Sequence, residues 1–241
     1  MWRRRTNVAP TELTPAGAST RAADNPGYDQ AEALIASLEG AAAAMLFASG
    51  QAAAGAVFQA LAPGDCVLAP RQMYWALRKW LLEFAVPWGI SVEFYENTSL
   101  DDLAAKARMR RPRLIWIETP ANPTWDITDI AEVSAIGREV GAVVAVDSTA
   151  ATPMLTRPIE LGAQIVMHSA TKYLNGHADV IAGALASARD DELVATRFAT
   201  CAAEAAPCWA HSKRGSCCAA CARCICASPP HPRARSRSRS A

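Results

Sequence analysis

Short apolar runs alternate with longer amphipathic stretches through the middle of the chain, from about Gln30 to Arg189. The short runs are rich in Val, Ile, Leu and Ala, as in strands that are buried on both faces of a sheet. The longer stretches have apolar residues at helical spacing, and several end at Pro or Gly. This order predicts strand-helix-strand units throughout, and therefore an α/β fold with a mostly parallel sheet and helices on both faces.

The same pattern gives bounds for the predicted elements. Buried strands are predicted at Ala44–Phe47, Cys66–Ala69, Ser91–Tyr95, Leu114–Glu118, Ala142–Asp147 and Ile165–His168. Helices are predicted between them at Gly50–Leu61, Tyr74–Phe84, Ser99–Ala107 and Ile127–Val140. Because ligands of such sheets bind beyond the carboxyl ends of the strands, residues that follow a strand are the first candidates for a site.

Both ends of the chain lack this periodicity. Residues 1–24 contain Pro, Thr and Ala without a regular pattern, and we expect an arm without regular structure there. After about Thr196 the sequence becomes rich in Cys, Arg and Ser and ends in an Arg-Ser alternation, which a packed core does not use. We therefore expect one α/β domain at residues 25–196 and a tail without regular structure at 197–241.

Charge and cysteine content change at the same boundary. The 241-residue chain has a formal net charge of +1, but residues 197–241 carry eight basic side chains and one acidic side chain. Seven of the eight cysteines follow residue 200, and Cys66 alone precedes it. A single thiol in the α/β region is typical of a reducing compartment, and no apolar run reaches the ~18 residues of a membrane helix. We expect a cytoplasmic protein that does not bind a membrane.

Two segments in the second half of the α/β region carry candidate chemistry. Asp147-Ser148-Thr149 ends a predicted strand, and Lys172 lies within the sequence HSATKYLNGH at residues 168–177. A buried carboxylate requires a partner, because burying it alone is costly. A lysine in desolvated surroundings loses its proton readily and attacks carbonyl groups, which arginine cannot do.

These segments closely resemble the lysine-containing stretch of the pyridoxal-phosphate enzymes of transsulfuration, which include cystathionine synthases and lyases, methionine γ-lyase and sulfhydrylases. The resemblance implies the large domain of a type I aminotransferase-like fold. It also implies that Lys172 binds pyridoxal 5'-phosphate as a Schiff base. Asp147 would then lie under the pyridine nitrogen and keep it protonated, so that the ring accepts electrons from the substrate.

The phosphate is expected at Ser49-Gly50-Gln51, where a predicted strand turns into a helix and unpaired N–H groups face an anion. The resemblance assigns the phosphate to the amides of Gly50 and Gln51 and to the hydroxyls of Ser169 and Thr171. Without the resemblance, the Ser-Gly pair is equally consistent with a plain strand-to-helix turn.

Three further residues belong to the expected cofactor site. Tyr74 resembles the tyrosine that stacks on the cofactor ring and helps to move protons, although the two glycines that often follow it in the family are absent. Asn122, in the sequence ETPANPT, resembles the asparagine that donates to the phenolic oxygen, and Thr149 is expected to contact the cofactor. Alternatively, Tyr74 is a buried core residue and Asn122 a turn residue.

The implied reaction begins when the substrate replaces Lys172 on the cofactor, after which the released amine removes the α-proton. Elimination or replacement at the β or γ carbon of a sulfur-containing or O-acylated amino acid follows. These motifs do not separate lyase, synthase and sulfhydrylase. The family forms dimers within tetramers, which implies a homo-oligomer. Arg21 either reaches the neighbouring subunit's phosphate or is an ordinary solvated side chain.

The resemblance covers about Asn25 to Arg189, and we expect the second α/β domain of the family to be absent. The composition after about Cys201 resembles a coding sequence read in the wrong frame. An impaired or inactive chain that at most binds the cofactor is therefore an alternative interpretation.

A second alternative gives the tail a metal-binding or nucleic-acid-binding role. Cys218, Cys221 and Cys224 are spaced at intervals of three, but no recognisable set of zinc ligands is complete. The arginines of the Arg-Ser segment make a short footprint without aromatic platforms. We expect neither a metal site nor nucleic-acid binding.

Overall fold

A computed structural model describes residues 26–188 of the chain. Within them, the strands are β1 (Ala43–Phe47), β2 (Cys66–Pro70), β3 (Ser91–Tyr95), β4 (Leu114–Glu118), β5 (Val143–Asp147), β6 (Ile165–His168) and β7 (Gly183–Ser187). The helices are α1 (Pro26–Glu39), α2 (Gly50–Gln59), α3 (Trp75–Trp80), α4 (Leu100–Arg110), α5 (Ile130–Val140) and α6 (Thr152–Leu155). A π-helical turn at Leu81–Ala85 follows α3.

All of these strands join one sheet in the order β1-β7-β6-β5-β4-β2-β3. The pairings from β6 through β5, β4 and β2 to β3 are parallel, whereas β7 is antiparallel to both of its neighbours. The predicted mostly parallel sheet is therefore confirmed. The prediction of strand-helix-strand order throughout is wrong at β7, because turns alone connect β6 to β7.

Alternate residues of the central strands face opposite sides of the sheet. Trp116 and Ala145 belong to a core that includes residues of α2 and α3. Their neighbours Ile115 and Val144 belong to a second core with residues of α4 and α5. A further cluster joins α1 to β6 and β7 through Ile35. The sheet is thus covered by helices on both faces, as predicted.

Side-chain caps determine where three of the helices begin. Ser49, Ser99 and Asp129 precede α2, α4 and α5, and each side chain accepts a hydrogen bond from a backbone N–H in the first turn. The predicted helix at Ile127–Val140 therefore starts three residues too early. The predicted helix at Tyr74–Phe84 is divided between α3 and the π-helical turn, and Tyr74 lies just before it.

The expected arm at residues 1–24 and tail at 197–241 lie outside the described residues, as do Arg21 and the cysteine cluster. Within residues 26–188, no helix combines the length and the apolar character needed to cross a membrane. The same part of the chain has no group of three His, Cys, Asp or Glu side chains that could hold a metal ion.

Candidate active site

Three neighbouring parallel strands end in ionisable residues. β4 ends in Glu118, β5 in Asp147 and β6 in His168, and the first two are direct partners in the sheet register. Their exposed fractions are 5%, 8% and 1%, respectively. The carboxyl edge of the sheet, where the sequence predicted the ligand, is therefore built around buried ionisable groups.

Asp147 is held by Thr149, two residues further along the chain. The Thr149 hydroxyl and N–H donate to Asp147 Oδ1 at 2.5 Å and 3.0 Å, and Thr149 Oγ1 accepts from the Ser169 N–H at 2.8 Å. Burial raises the pKa of Asp147, whereas the bonds from Thr149 and the nearby His168 lower it. Since both bonds use Oδ1, Oδ2 has no hydrogen-bond partner within residues 26–188 and can accept one from a ligand.

The N-terminus of α2 lies directly against the segment that follows β6. The Ser49 side chain caps α2 by accepting from the Ala52 N–H at 3.1 Å, so the N–H groups of Gly50 and Gln51 have no partner inside the helix. A Cβ at Gly50 would lie 2.7 Å from both Cβ and Oγ of Ser169. Glycine therefore permits a close approach that forms a cradle of N–H and hydroxyl groups, suited to an anion.

The start of β7 closes the other side of this turn. The Thr171 hydroxyl donates to the Ala182 carbonyl at 3.0 Å and accepts from the Ala182 N–H at 3.0 Å. A Cβ at Gly183 would lie 2.2 Å from the Ser49 carbonyl oxygen. The expected phosphate bond from Thr171 stays a prediction, because here its hydroxyl proton is directed to Ala182.

Lys172 lies in the turn-rich connection between β6 and β7. Its N–H donates to the Ser169 carbonyl at 3.0 Å, and its own carbonyl accepts from the Gly176 N–H at 2.9 Å. These bonds fix the backbone on both sides of the lysine, next to the anion cradle. The side chain is exposed, so the described residues do not supply the desolvation that the sequence reasoning expected.

Glu118 connects two segments of the site that carry predicted cofactor contacts. Its Oε2 accepts from the Tyr74 N–H at 2.7 Å, and its Oε1 accepts from the Asn122 N–H at 2.8 Å. Burial and the charge of Asp147 raise the pKa of Glu118 to about 8, against the lowering effect of the two hydrogen bonds. Glu118 was not predicted as a site residue, although an acid that ends the apolar strand LIWIE is a visible signal.

The side chains of Tyr74 and Asn122 are both open to solvent. Tyr74 is 41% exposed and its ring is tilted against that of Trp75, with ring centroids 6.2 Å apart. The alternative of a buried core tyrosine is therefore wrong, and the Tyr74 ring has a face that can stack on a ligand.

A second buried pair supports the same edge of the sheet. His168 Nε2 contacts Glu39 Oε1 at the end of α1, and both side chains are buried. Neither residue was predicted as part of a site, because 129 positions separate them in sequence. The contact ties α1 to the strand that precedes Ser169.

Comparisons with known proteins identify the family of the chain. The family model described as Cys/Met metabolism PLP-dependent enzyme matches residues 12–215, further at both ends than the predicted resemblance. A chloroplastic cystathionine beta-lyase from Arabidopsis thaliana is 41% identical over 162 residues, which are 67% of this chain and 35% of that protein. A cystathionine gamma-synthase from Mycobacterium bovis is 40% identical over 170 residues, which are 70% of this chain and 43% of that protein.

Solved structures extend the similarity to the fold. MetB from Corynebacterium glutamicum superposes with a TM-score of 0.81 at 30% identity, covering 91% of this chain and 56% of the other. A cystathionine gamma synthase from Xanthomonas oryzae pv. oryzae in complex with cystathionine superposes with a TM-score of 0.78 at 29% identity. The match covers 84% of this chain and 52% of the other. This chain thus spans less than half of these curated relatives and little more than half of the solved chains. The predicted fold class is confirmed, and the chain belongs to the Cys/Met metabolism family of PLP-dependent enzymes.

Proposed function

We propose that this chain binds pyridoxal 5'-phosphate at Lys172 and serves carbon-sulfur bond chemistry of the transsulfuration type. The observation that carries the proposal is the convergence of an anion cradle, an open oxygen of a buried carboxylate and an exposed lysine at one edge of the sheet. The donor set fits the cofactor, because a phosphate requires donors and a protonated ring nitrogen requires an acceptor.

In this proposal the phosphate is held at the cradle. The Gly50 and Gln51 N–H groups and the Ser169 hydroxyl are the donors, and the positive end of the α2 dipole favours the anion. Support comes from the close approach of Gly50 to Ser169, which any larger residue at position 50 would prevent. Donation by Thr171 would require its proton to turn away from Ala182.

Asp147, Tyr74 and Asn122 are proposed to bind the ring. Asp147 Oδ2 would accept from the ring nitrogen, Tyr74 would stack on a face of the ring, and Asn122 would donate to the phenolic oxygen. Thr149 contributes indirectly, because its two hydrogen bonds to Oδ1 hold the Asp147 carboxylate in one orientation. When bound, the cofactor supplies an electron sink for the α carbon of an amino acid.

Lys172 is proposed both to hold the cofactor covalently and to carry the proton that leaves the substrate α carbon. An amine is suited to both roles, because it forms a reversible bond with a carbonyl and accepts a proton once released. The backbone bonds of Lys172 to Ser169 and Gly176 keep its attachment point fixed while the side chain moves.

The proposed substrate is a sulfur-containing or O-acylated amino acid, and the proposed assembly is a homo-oligomer to which Arg21 contributes at a neighbouring phosphate. A lyase and a synthase match at 41% and 40% identity, so the proposal does not choose between elimination and replacement. A cytoplasmic location is likewise proposed from the single thiol of the α/β region, although one relative is described as chloroplastic.

A second candidate function is cofactor binding without turnover. The specific observation that favours it is coverage, since the matched segment spans 35% and 43% of two curated relatives.

The test is absorbance of the purified chain with added pyridoxal 5'-phosphate, followed by borohydride reduction and peptide mass analysis. We expect a visible band and a reduced adduct on the Lys172 peptide, both lost in Lys172→Ala. Lys79→Ala is the matched control, because Lys79 is an exposed lysine on α3 that forms an ion pair with Glu83. An adduct on other lysines alone would refute the proposal. An adduct without turnover of cystathionine or O-acylated homoserine would favour the second candidate.

A further inference from the structure

The Glu118 carboxylate is the point where two separate segments of the site meet. Tyr74 precedes α3 and lies 44 positions from Glu118, whereas Asn122 follows β4 by four positions. Each segment donates one backbone N–H to a different oxygen of the same carboxylate, at 2.7 Å and 2.8 Å. The backbones of Tyr74 and Asn122, two of the three residues proposed to bind the cofactor ring, are therefore anchored to one buried group.

We propose that Glu118 is a positioning residue that clamps the Tyr74 and Asn122 backbones together beside Asp147, and so fixes the stacking ring and the amide relative to the cofactor. This inference rests on the proposed function for its purpose, but the clamp itself is a property of the chain without cofactor. Glu118 acts through the two backbones and is not assigned a contact with cofactor or substrate.

A carboxylate is the group that this geometry requires. Both oxygens face N–H donors, and an ionised carboxylate accepts at both positions. A glutamine has one acceptor oxygen and would turn its NH₂ group toward the other N–H. An alanine would leave both partly buried N–H groups without their acceptor, which costs stability.

The ionisation of the Glu118 carboxyl group, which we call the clamp, depends on its buried neighbours. Asp147 pairs with Glu118 in register and raises its pKa by its charge, in addition to the effect of burial. Tyr95 on β3 is buried near Glu118, but its pKa is raised by burial and by the Glu118 charge, so it stays neutral while its hydroxyl donates to the Trp116 carbonyl at 3.0 Å. His168 on β6 lowers the pKa of Asp147.

These neighbours link the clamp to ligand binding. Below about pH 8 Glu118 takes up a proton, and one of its oxygens then carries a hydrogen that competes with an N–H donor. A cationic group bound at Asp147 would reduce the repulsion between the two acids and favour ionised Glu118. Because such linkage is reciprocal, an ionised clamp would also favour the cation.

The first test needs no cofactor. We would follow the backbone amide resonances of Tyr74 and Asn122 with pH in the full chain, by nitrogen-proton correlation NMR. Both should shift with one common midpoint in the parent and lose that transition in Glu118→Gln. The Gln72 N–H is the internal control, because it donates to the Asn97 side-chain oxygen at 2.9 Å, and that amide does not titrate.

Separate midpoints for Tyr74 and Asn122, or the same transition in Glu118→Gln, would overturn the clamp. If Glu118→Gln does not fold, the common midpoint in the parent still decides the question. The result does not depend on whether the chain binds a cofactor, so it stands apart from any failure of the proposed function.

The second test measures cofactor affinity and the circular dichroism of the bound cofactor, which reports ring orientation. Above about pH 8, where Glu118 is ionised, we expect about tenfold weaker binding in Glu118→Gln, from the loss of one hydrogen bond to a charged acceptor, and an altered dichroic band. Gln164→Ala is the control, because Gln164 Oε1 accepts from the Val144 N–H at 2.7 Å near the amino ends of β5 and β6. This control substitution should leave the cofactor affinity and the dichroic band unchanged. An unchanged band and affinity in Glu118→Gln would overturn the positioning role while leaving cofactor binding intact.

Discussion

Replacing Gly50 by alanine tests whether α2 and Ser169 must approach as closely as the structure has them. The added Cβ would lie 2.7 Å from the Ser169 Cβ and Oγ and 2.9 Å from its Cα. Carbon atoms in contact prefer about 3.5–4.0 Å, so the two segments must separate by about 1 Å. A rotation of the Ser169 side chain cannot relieve the contact with Cα, because that atom belongs to the backbone.

The separation should weaken both stability and anion binding. Overpacking of this kind typically costs about 1–3 kcal/mol of the free energy of unfolding. The N–H groups of residues 50 and 51 and the hydroxyl of Ser169 would no longer face the same point, and we expect about tenfold weaker binding of pyridoxal 5'-phosphate. Binding of pyridoxal, which lacks the phosphate, should change much less.

Urea denaturation and titration with both forms of the cofactor measure these effects. Gly55→Ala is the matched control, because Gly55 lies in the same helix and an added Cβ would meet nothing within 4 Å. That substitution should stabilise the helix by up to about 1 kcal/mol. If Gly50→Ala keeps the parent's preference for pyridoxal 5'-phosphate over pyridoxal, the cradle is not the phosphate site.

Three further outcomes are expected. Because the pKa of Glu118 rises on folding from 4.5 to about 8, the free energy of unfolding should fall as pH increases through this window. Urea denaturation at a series of pH values measures this fall, and Glu118→Gln should make it smaller. Gly183→Ala, whose Cβ would lie 2.2 Å from the Ser49 carbonyl oxygen, should lower the thermal unfolding midpoint by several degrees. Thr149→Val removes a hydroxyl that donates to Asp147, and we expect about tenfold weaker cofactor binding in a fluorescence titration. An unchanged value in any of these measurements would contradict the corresponding contact.

Two of the correctly predicted strands have a composition that by itself requires burial. β4 (LIWIE) and β5 (VVAVD) are apolar and rich in branched side chains, so their pattern alone identifies them. β7 (GALAS) consists of small residues and is a strand because β1 and β6 pair with it on both sides. Such pairing partners are distant in sequence, and no local pattern indicates them.

The features of the site also fall into two groups, those that the sequence indicated and those that depend on contacts in the folded chain. Asp147 ends a predicted strand and Asn122 lies four positions beyond another, at the edge where ligands of such sheets bind, but it was the family resemblance that assigned both residues to the cofactor. The direction of the Thr171 hydroxyl toward Ala182 and the contact of His168 with Glu39 depend on segments that meet only in the folded chain. The two Glu118 bonds include one across 44 positions, which the sequence motif around Asn122 could not indicate.

The pair of buried acids gives an argument for the cofactor that does not use the lysine motif. Glu118 and Asp147 are adjacent in register and nearly inaccessible, and burial raises the pKa of both. Two such groups destabilise a fold, and apolar residues of similar volume would commonly serve the core better. Glu118 is accounted for by two N–H donors, but Asp147 keeps Oδ2 without a partner within residues 26–188. A cationic donor at that oxygen, such as a protonated pyridine nitrogen, is the ligand that would offset this cost.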